Sequence, residues 1–152
     1  VKIRQDIPKW KVDLLNFAAT TAPLARISLD TLSGGQDVQM THDSTHSTQV
    51  QTNAWHVEKN TLRLLSTIGD QISSMNECAR TFDVPVLVLH GGKDFFTDEA
   101  ALWDFVRNIP AGTPKTVRLY PDSYHLLMHD KQKDKVIRDV EDWVGRLRRN
   151  EL

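Results

Sequence analysis

Asp94 and His125 are the residues of this chain best placed for acid–base chemistry. Asp94 follows the run Val84-Pro85-Val86-Leu87-Val88-Leu89-His90-Gly91-Gly92-Lys93, and His125 follows a second alternating run, Lys115 to Tyr120, through Pro121-Asp122-Ser123-Tyr124. One helical pattern and one strand separate them, the length of a crossover. Parallel strands joined in this way bring the loops at their carboxyl ends to one rim of a sheet, where reactive groups collect in open α/β proteins. An aspartate that fixes an imidazole's tautomer, leaving the other ring nitrogen as base, is the acid–base half of a Ser-His-Asp triad. By position alone, however, an aspartate after a strand is most often a turn or cap residue.

Other candidate constellations are weaker. His42, His46 and His56 lie in a polar segment and lack the cysteine or acidic partners that would complete a metal site, so solvated loop histidines are the simpler expectation. Cys78 is the single cysteine, which rules out an internal disulfide. Its apolar, helical surroundings predict a buried structural thiol. Gly34-Gly35 and Gly91-Gly92 belong to neither phosphate-cradling glycine motif. No serine has glycine both two before and two after it, as a G-x-S-x-G nucleophile elbow demands. Ser33 comes nearest, with Gly35 after it but Thr31 before it.

The elements that would position Asp94 and His125 are legible from residue 60 onward. Leu65, Ile68, Ile72, Met75 and Ala79 recur at steps of three and four and predict a helix over 61–79. Val84 to His90, apolar on both faces and closed by glycines, predicts a buried parallel strand. Ala101, Leu102, Phe105, Val106 and Ile109 line the next helix, with Thr97 expected as its cap and Asp98 and Glu99 in its first turn. Val136, Ile137, Val140, Trp143, Val144 and Leu147 mark a closing helix over 132–149. Residues 1–59 are less regular: a short amphipathic stretch at Trp10, Leu14, Leu15, Phe17 and Ala18, a turn at Ser33 to Asp37, and a polar segment from Thr41 to Thr52 that reads as a loop or short helix on something larger.

With these elements in place, Val84 to Asp94, followed by Asp98, resembles the strand-and-acid segment of the α/β-hydrolase family that contains monoacylglycerol lipases and lysophospholipases, the serine aminopeptidase S33-like group. Leu119 to Asp130, Leu-Tyr-Pro-Asp-Ser-Tyr-His-Leu-Leu-Met-His-Asp, is similar to that family's histidine loop, whose tyrosine-histidine pair carries the base. The resemblance implies that Asp94 is the triad acid and that His125, not His129, is the base. It covers residues 60–152 and extends more faintly to Ile7-Pro8-Lys9-Trp10-Lys11, Met40-Thr41-His42-Asp43 and Asn53-Ala54-Trp55-His56, which look like pieces of the family's cap. The implied fold class is α/β: the C-terminal portion of an α/β-hydrolase, with two parallel strands and covering helices over 60–152, preceded by a cap or lid segment over 1–59. The implied chemistry is hydrolysis of an acyl ester of glycerol or a lysophospholipid, with no metal or organic cofactor. Because the family's serine precedes its acid and histidine, the nucleophile is expected upstream of Val1. Trp103 and Trp143 are expected to pack at the core or its edge, while Trp10 and Trp55 stay open between packing and an acyl pocket.

Bulk composition narrows the partners. Nineteen Lys and Arg against 20 Asp and Glu leave no global field to draw nucleic acid or an anionic membrane. No stretch approaches the roughly 18 consecutive apolar residues of a spanning helix. An alternative to an enzyme is a non-catalytic interaction module, or a half-hydrolase subunit that pairs with another chain. Two strands leave an open sheet edge, so self-association through that edge is expected.

Overall fold

The structure, a computed structural model, describes residues 9–28, 38–54 and 56–152. The turn expected at Ser33 to Asp37, the cap signature at Ile7-Pro8 and Trp55 lie outside these residues. The first helix, α1 (Lys9–Thr21), turns at Pro23 and leads into β1 (Arg26–Ser28). Beyond comes α2 (Ser44–Thr52), so the polar stretch does form a short helix, capped by the Asp43 carboxylate accepting from the Thr45 amide at 2.8 Å. A short strand, β2 (Lys59–Thr61), pairs antiparallel with β1 in the register Arg26–Thr61, Ile27–Asn60, Ser28–Lys59. Nothing in the periodicity announced this two-strand ribbon, because three residues are too few to show alternation.

From there the order follows expectation: α3 (Leu62–Ala79), β3 (Val86–Gly91), α4 (Glu99–Asn108), β4 (Lys115–Tyr120), a 3-10 turn at Leu127–His129, and α5 (Lys133–Arg148). β3 and β4 are parallel, from Val86 opposite Lys115 to Gly91 opposite Tyr120. Thr61 caps α3 by accepting from the Leu64 amide. Asp98, rather than Thr97, caps α4: its carboxylate accepts from the Ala101 amide at 2.7 Å. An aspartate serves as well as a threonine there and adds negative charge at the positive end of the helix. Among the described residues no helix is long and apolar enough to cross a membrane.

The buried core gathers Ala79 from α3, Ala101, Leu102 and Val106 from α4, Ile109, Tyr120 at the end of β4 and Val136 from α5. Polar ties lock it. Tyr120 donates its hydroxyl to Asp139 of α5 at 2.8 Å, and Thr113, before β4, donates to the Phe82 carbonyl, before β3, at 2.7 Å. Burial and the carboxylate of Asp139 push the Tyr120 hydroxyl far above its ordinary pKa, so it stays a donor.

Two sequence expectations fail in this framework. Val86 to Leu89 are only half-buried, and burial becomes complete at His90 and Gly91. The strand has one partner, β4, so its apolar side chains are covered incompletely among the described residues. Cys78 is exposed. It neighbours the buried Ala79, but one residue is a turn of about 100° around a helix, enough to rotate it off the packed face.

Candidate active site

Asp94 is placed by the turn that ends β3. Its amide donates to the Gly91 carbonyl at 3.0 Å, and its Oδ1 accepts from the amides of Phe96 (2.8 Å) and Thr97 (3.2 Å). The carboxylate therefore does act as a turn residue, as its position alone suggested. Its second oxygen does more: Oδ2 lies 2.9 Å from Nδ1 of His125. Burial pushes the Asp94 carboxyl up, but the His125 bond, the two amides and the charge of the imidazolium outweigh it and hold the group below its ordinary range. The bond to Asp94 raises His125, against a smaller opposing effect of burial. With Nδ1 engaged, Nε2 is the nitrogen available to trade protons. The ring is partly exposed and has the edge of Phe96 beside it, centroid to centroid 5.1 Å.

Close approach of backbone to backbone sets the histidine loop. A Cβ built on Gly91 would fall 2.3 Å from the Tyr124 carbonyl oxygen, and one on Gly92 would fall 2.8 Å from Pro121. The loop thus lies directly on the glycine turn, which only residues without side chains permit. The Gly92 amide donates to the Tyr120 carbonyl at 2.9 Å and the Lys93 amide to the Ser123 carbonyl at 3.0 Å. Ser123, wholly buried, donates to Gln132 at 3.0 Å.

The remaining candidates separate. His129 is exposed, and its carbonyl accepts the Thr41 hydroxyl. His42 sits with Nδ1 2.6 Å from Oδ1 of Asp130, while the exposed His56 lines a shallow surface hollow with Arg26 and Lys59. No cluster of three or more metal-ligating residues forms among the described residues. Trp103 donates to Glu99 at 3.0 Å on α4, Trp143 is half-buried, and Trp10 stands 62% exposed. Sequence reasoning missed the His42–Asp130 pair. The signal was thin: both residues fall inside stretches singled out for other reasons, and nothing in their spacing links them.

A parallel strand pair flanked by helices, with its carboxyl-end loops meeting at one rim, is part of an α/β-hydrolase fold. The family model described as "Serine aminopeptidase, S33" matches residues 1–132, and the chain belongs to that family. Its fold is similar to that of a monoacylglycerol lipase from Paleococcus ferrophilus, with a TM-score of 0.78 and 17% identity over 94% of this chain and 54% of the lipase. A soluble variant of monoglyceride lipase from Saccharomyces cerevisiae, solved with a substrate analogue, gives a TM-score of 0.71 and 18% identity over 91% of this chain and 47% of that one. An uncharacterised abhydrolase domain-containing protein of Dictyostelium discoideum is 26% identical over 68 residues, 45% of this chain and 7% of the relative. The chain thus spans about half the length of the two lipases.

Proposed function

We propose that this chain supplies the acid and the base of a serine hydrolase acting on acyl esters of the monoacylglycerol or lysophospholipid type. The observation that carries the reading is the 2.9 Å bond between Asp94 and His125 at the rim of β3 and β4. In this scheme Asp94 holds the imidazole in the tautomer with Nδ1 protonated. Nε2 takes the proton of a serine as its oxygen attacks the ester carbonyl, returns that proton to the departing alcohol, and then activates water to release the acyl group. No elbow for that serine exists within the sequence, so the nucleophile and the oxyanion-binding amides are assigned to polypeptide outside these residues. Residues 60–152 are then the core portion and 1–59 the cap, with no metal or organic cofactor called for. The lipases named above, alike in fold, lend the substrate class its support.

The test is ester hydrolysis with and without the rest of the domain. Joined to a segment bearing a G-x-S-x-G elbow, the chain is expected to hydrolyse long-chain monoacylglycerol and to lose that activity to a serine-directed phosphonate. Alone, it should show no saturable, phosphonate-sensitive activity; finding such activity would overturn the assignment of roles. A second reading, a half-hydrolase subunit that binds another chain without catalysis, is favoured by the exposed apolar faces of α1 and α3. It predicts that replacing Asp94 leaves assembly intact and that no activity depends on it.

A further inference from the structure

Asp130 is among the most enclosed carboxylates of the described chain, 4% exposed as a residue, and it joins the histidine loop to the distant His42. Oδ2 accepts the Tyr124 amide at 2.6 Å. Oδ1 accepts the Lys131 amide at 2.7 Å, the His42 amide at 3.2 Å and His42 Nδ1 at 2.6 Å. Burial pushes this carboxyl upward, but those donors prevail and hold it below its ordinary range. The His42 ring also lies tilted against the Tyr124 ring, centroids 4.6 Å apart. On the far side of His125, the Leu126 amide donates to the Met40 carbonyl at 3.0 Å, and the Thr41 hydroxyl donates to the His129 carbonyl.

The two amides that flank His125 in the chain are therefore held either by residues 40–42 or by a carboxylate those residues hold. From the opposite side, the Tyr124 carbonyl is pressed against Gly91. A buried carboxylate that collects this many donors forms strong, directional bonds. The backbone it fixes determines where the imidazole of the next residue can lie, and a displacement near 1 Å is enough to weaken a catalytic contact severely.

We propose that Asp130 and His42 form a positioning pair for His125, fastening residues 40–42 onto the histidine loop so that the imidazole stays in register with Asp94. Neither residue touches the reacting atoms in this scheme; both act through the backbone of Tyr124 and Leu126. The pair rests on the acid–base reading of Asp94 and His125, and extends it by making the first segment of the chain part of what aligns the base.

Histidine-labelled chain examined by imidazole NMR, with melting curves alongside, tests this. In the unaltered chain the bond to Asp94 is expected to give His125 a low-field Nδ1 proton and a raised titration midpoint. Asp94→Asn is expected to abolish both; if it does not, the Asp94–His125 pairing is wrong and the hydrolase reading fails with it. Asp130→Asn, measured well below its melting temperature, is expected to lose the low-field signal and bring the midpoint back toward the ordinary histidine value with Asp94 still present. His42→Gln, at a less enclosed position, should move both signals the same way by less. A purely structural role would lower the melting temperature and leave the His125 signals of folded molecules in place. That result in Asp130→Asn overturns the inference, and so does an unmoved His125 in His42→Gln should Asp130→Asn fail to fold.

Discussion

The rim that holds Asp94 and His125 and the outer faces of α1 and α3 follow opposite rules. At the rim, small and polar groups are enclosed and nearly all engaged: Ser123, Asp130, Asp94 and His90 are buried, and hydrogen bonds run from the glycine turn to residues 40–42. On the helices, large apolar side chains face outward, with Phe17 67% and Trp10 62% exposed on α1 and Ile68 and Met75 of α3 exposed to a lesser degree. Two buried polar atoms near that framework, Asn76 Oδ1 on α3 and Trp143 Nε1 on α5, have no hydrogen-bond partner among the described residues. The contrast shows that local bonding can bring an aspartate and a histidine together on a framework whose apolar surface is only partly covered. Enclosure of the site and coverage of the core are separate achievements, since the first needs a few directional bonds and the second needs area.

The largest expected effect tests the rim. On the proposed reading, with a segment bearing the nucleophile joined to the chain, Asp94→Asn should lower kcat for ester hydrolysis by about 10³–10⁴-fold, because the imidazole then loses the partner that selects its tautomer. A drop of less than tenfold would remove the rim from the chemistry. The pH profile sharpens the same point. His125 must be neutral to act as base, and Asp94 raises it above the ordinary 6.5, so the acidic limb of kcat/KM should lie above that value and move down in Asp94→Asn.

For stability the signs differ. The raised histidine contributes below pH 6.5 and its contribution fades as pH climbs through its folded value. The lowered aspartate contributes above its ordinary 3.8 and fades as pH falls through its own folded value. Their joint contribution is therefore fullest between those two ordinary values. A stability profile of the Asp94→Asn chain should differ from the parent most in that interval.

The helix faces give the next test. Their exposed apolar residues, together with a β3 that has one partner among the described residues, predict that the chain self-associates, with a melting temperature that rises with concentration in light-scattering and melting experiments. A clean monomer with a concentration-independent melt would show that these faces need no cover, and would erase the contrast. Gly91→Ala probes the contact between strand and loop: with a carbonyl oxygen 2.3 Å from the new Cβ, it should cost about 1–3 kcal/mol in denaturant unfolding and disturb the His125 imidazole signals. An unaltered unfolding curve would mean the loop can move away freely. The smallest effect is reserved for Asp98→Ala, which removes the cap of α4 just beyond the turn that holds Asp94 and should cost about 1 kcal/mol while leaving the Asp94–His125 bond in place.

The regular part of the fold was legible because its helices carry long apolar stripes and its strands end in glycine or proline, as at Gly91-Gly92 and Pro121. The β1–β2 ribbon was not, since three-residue strands carry too little pattern. The exposure of Cys78 turns on its angular place on α3 beside the buried Ala79, while the half-burial of Val86 to Leu89 goes with the one strand that β3 pairs with among the described residues; apolar sequence records what a residue would prefer to meet, not what it does meet.

By itself the sequence determined the order of elements after residue 60 and the identity of Asp94 and His125 as candidates. Both follow from local periodicity and from spacing across one crossover. Only the tertiary structure decided that the two side chains meet at 2.9 Å, that Asp98 takes the cap from Thr97, and that His42 reaches Asp130. Those outcomes depend on where backbones separated by many residues come to rest, as when Gly91 lets Tyr124 close upon it, and such distances are set by packing in three dimensions that no local pattern encodes.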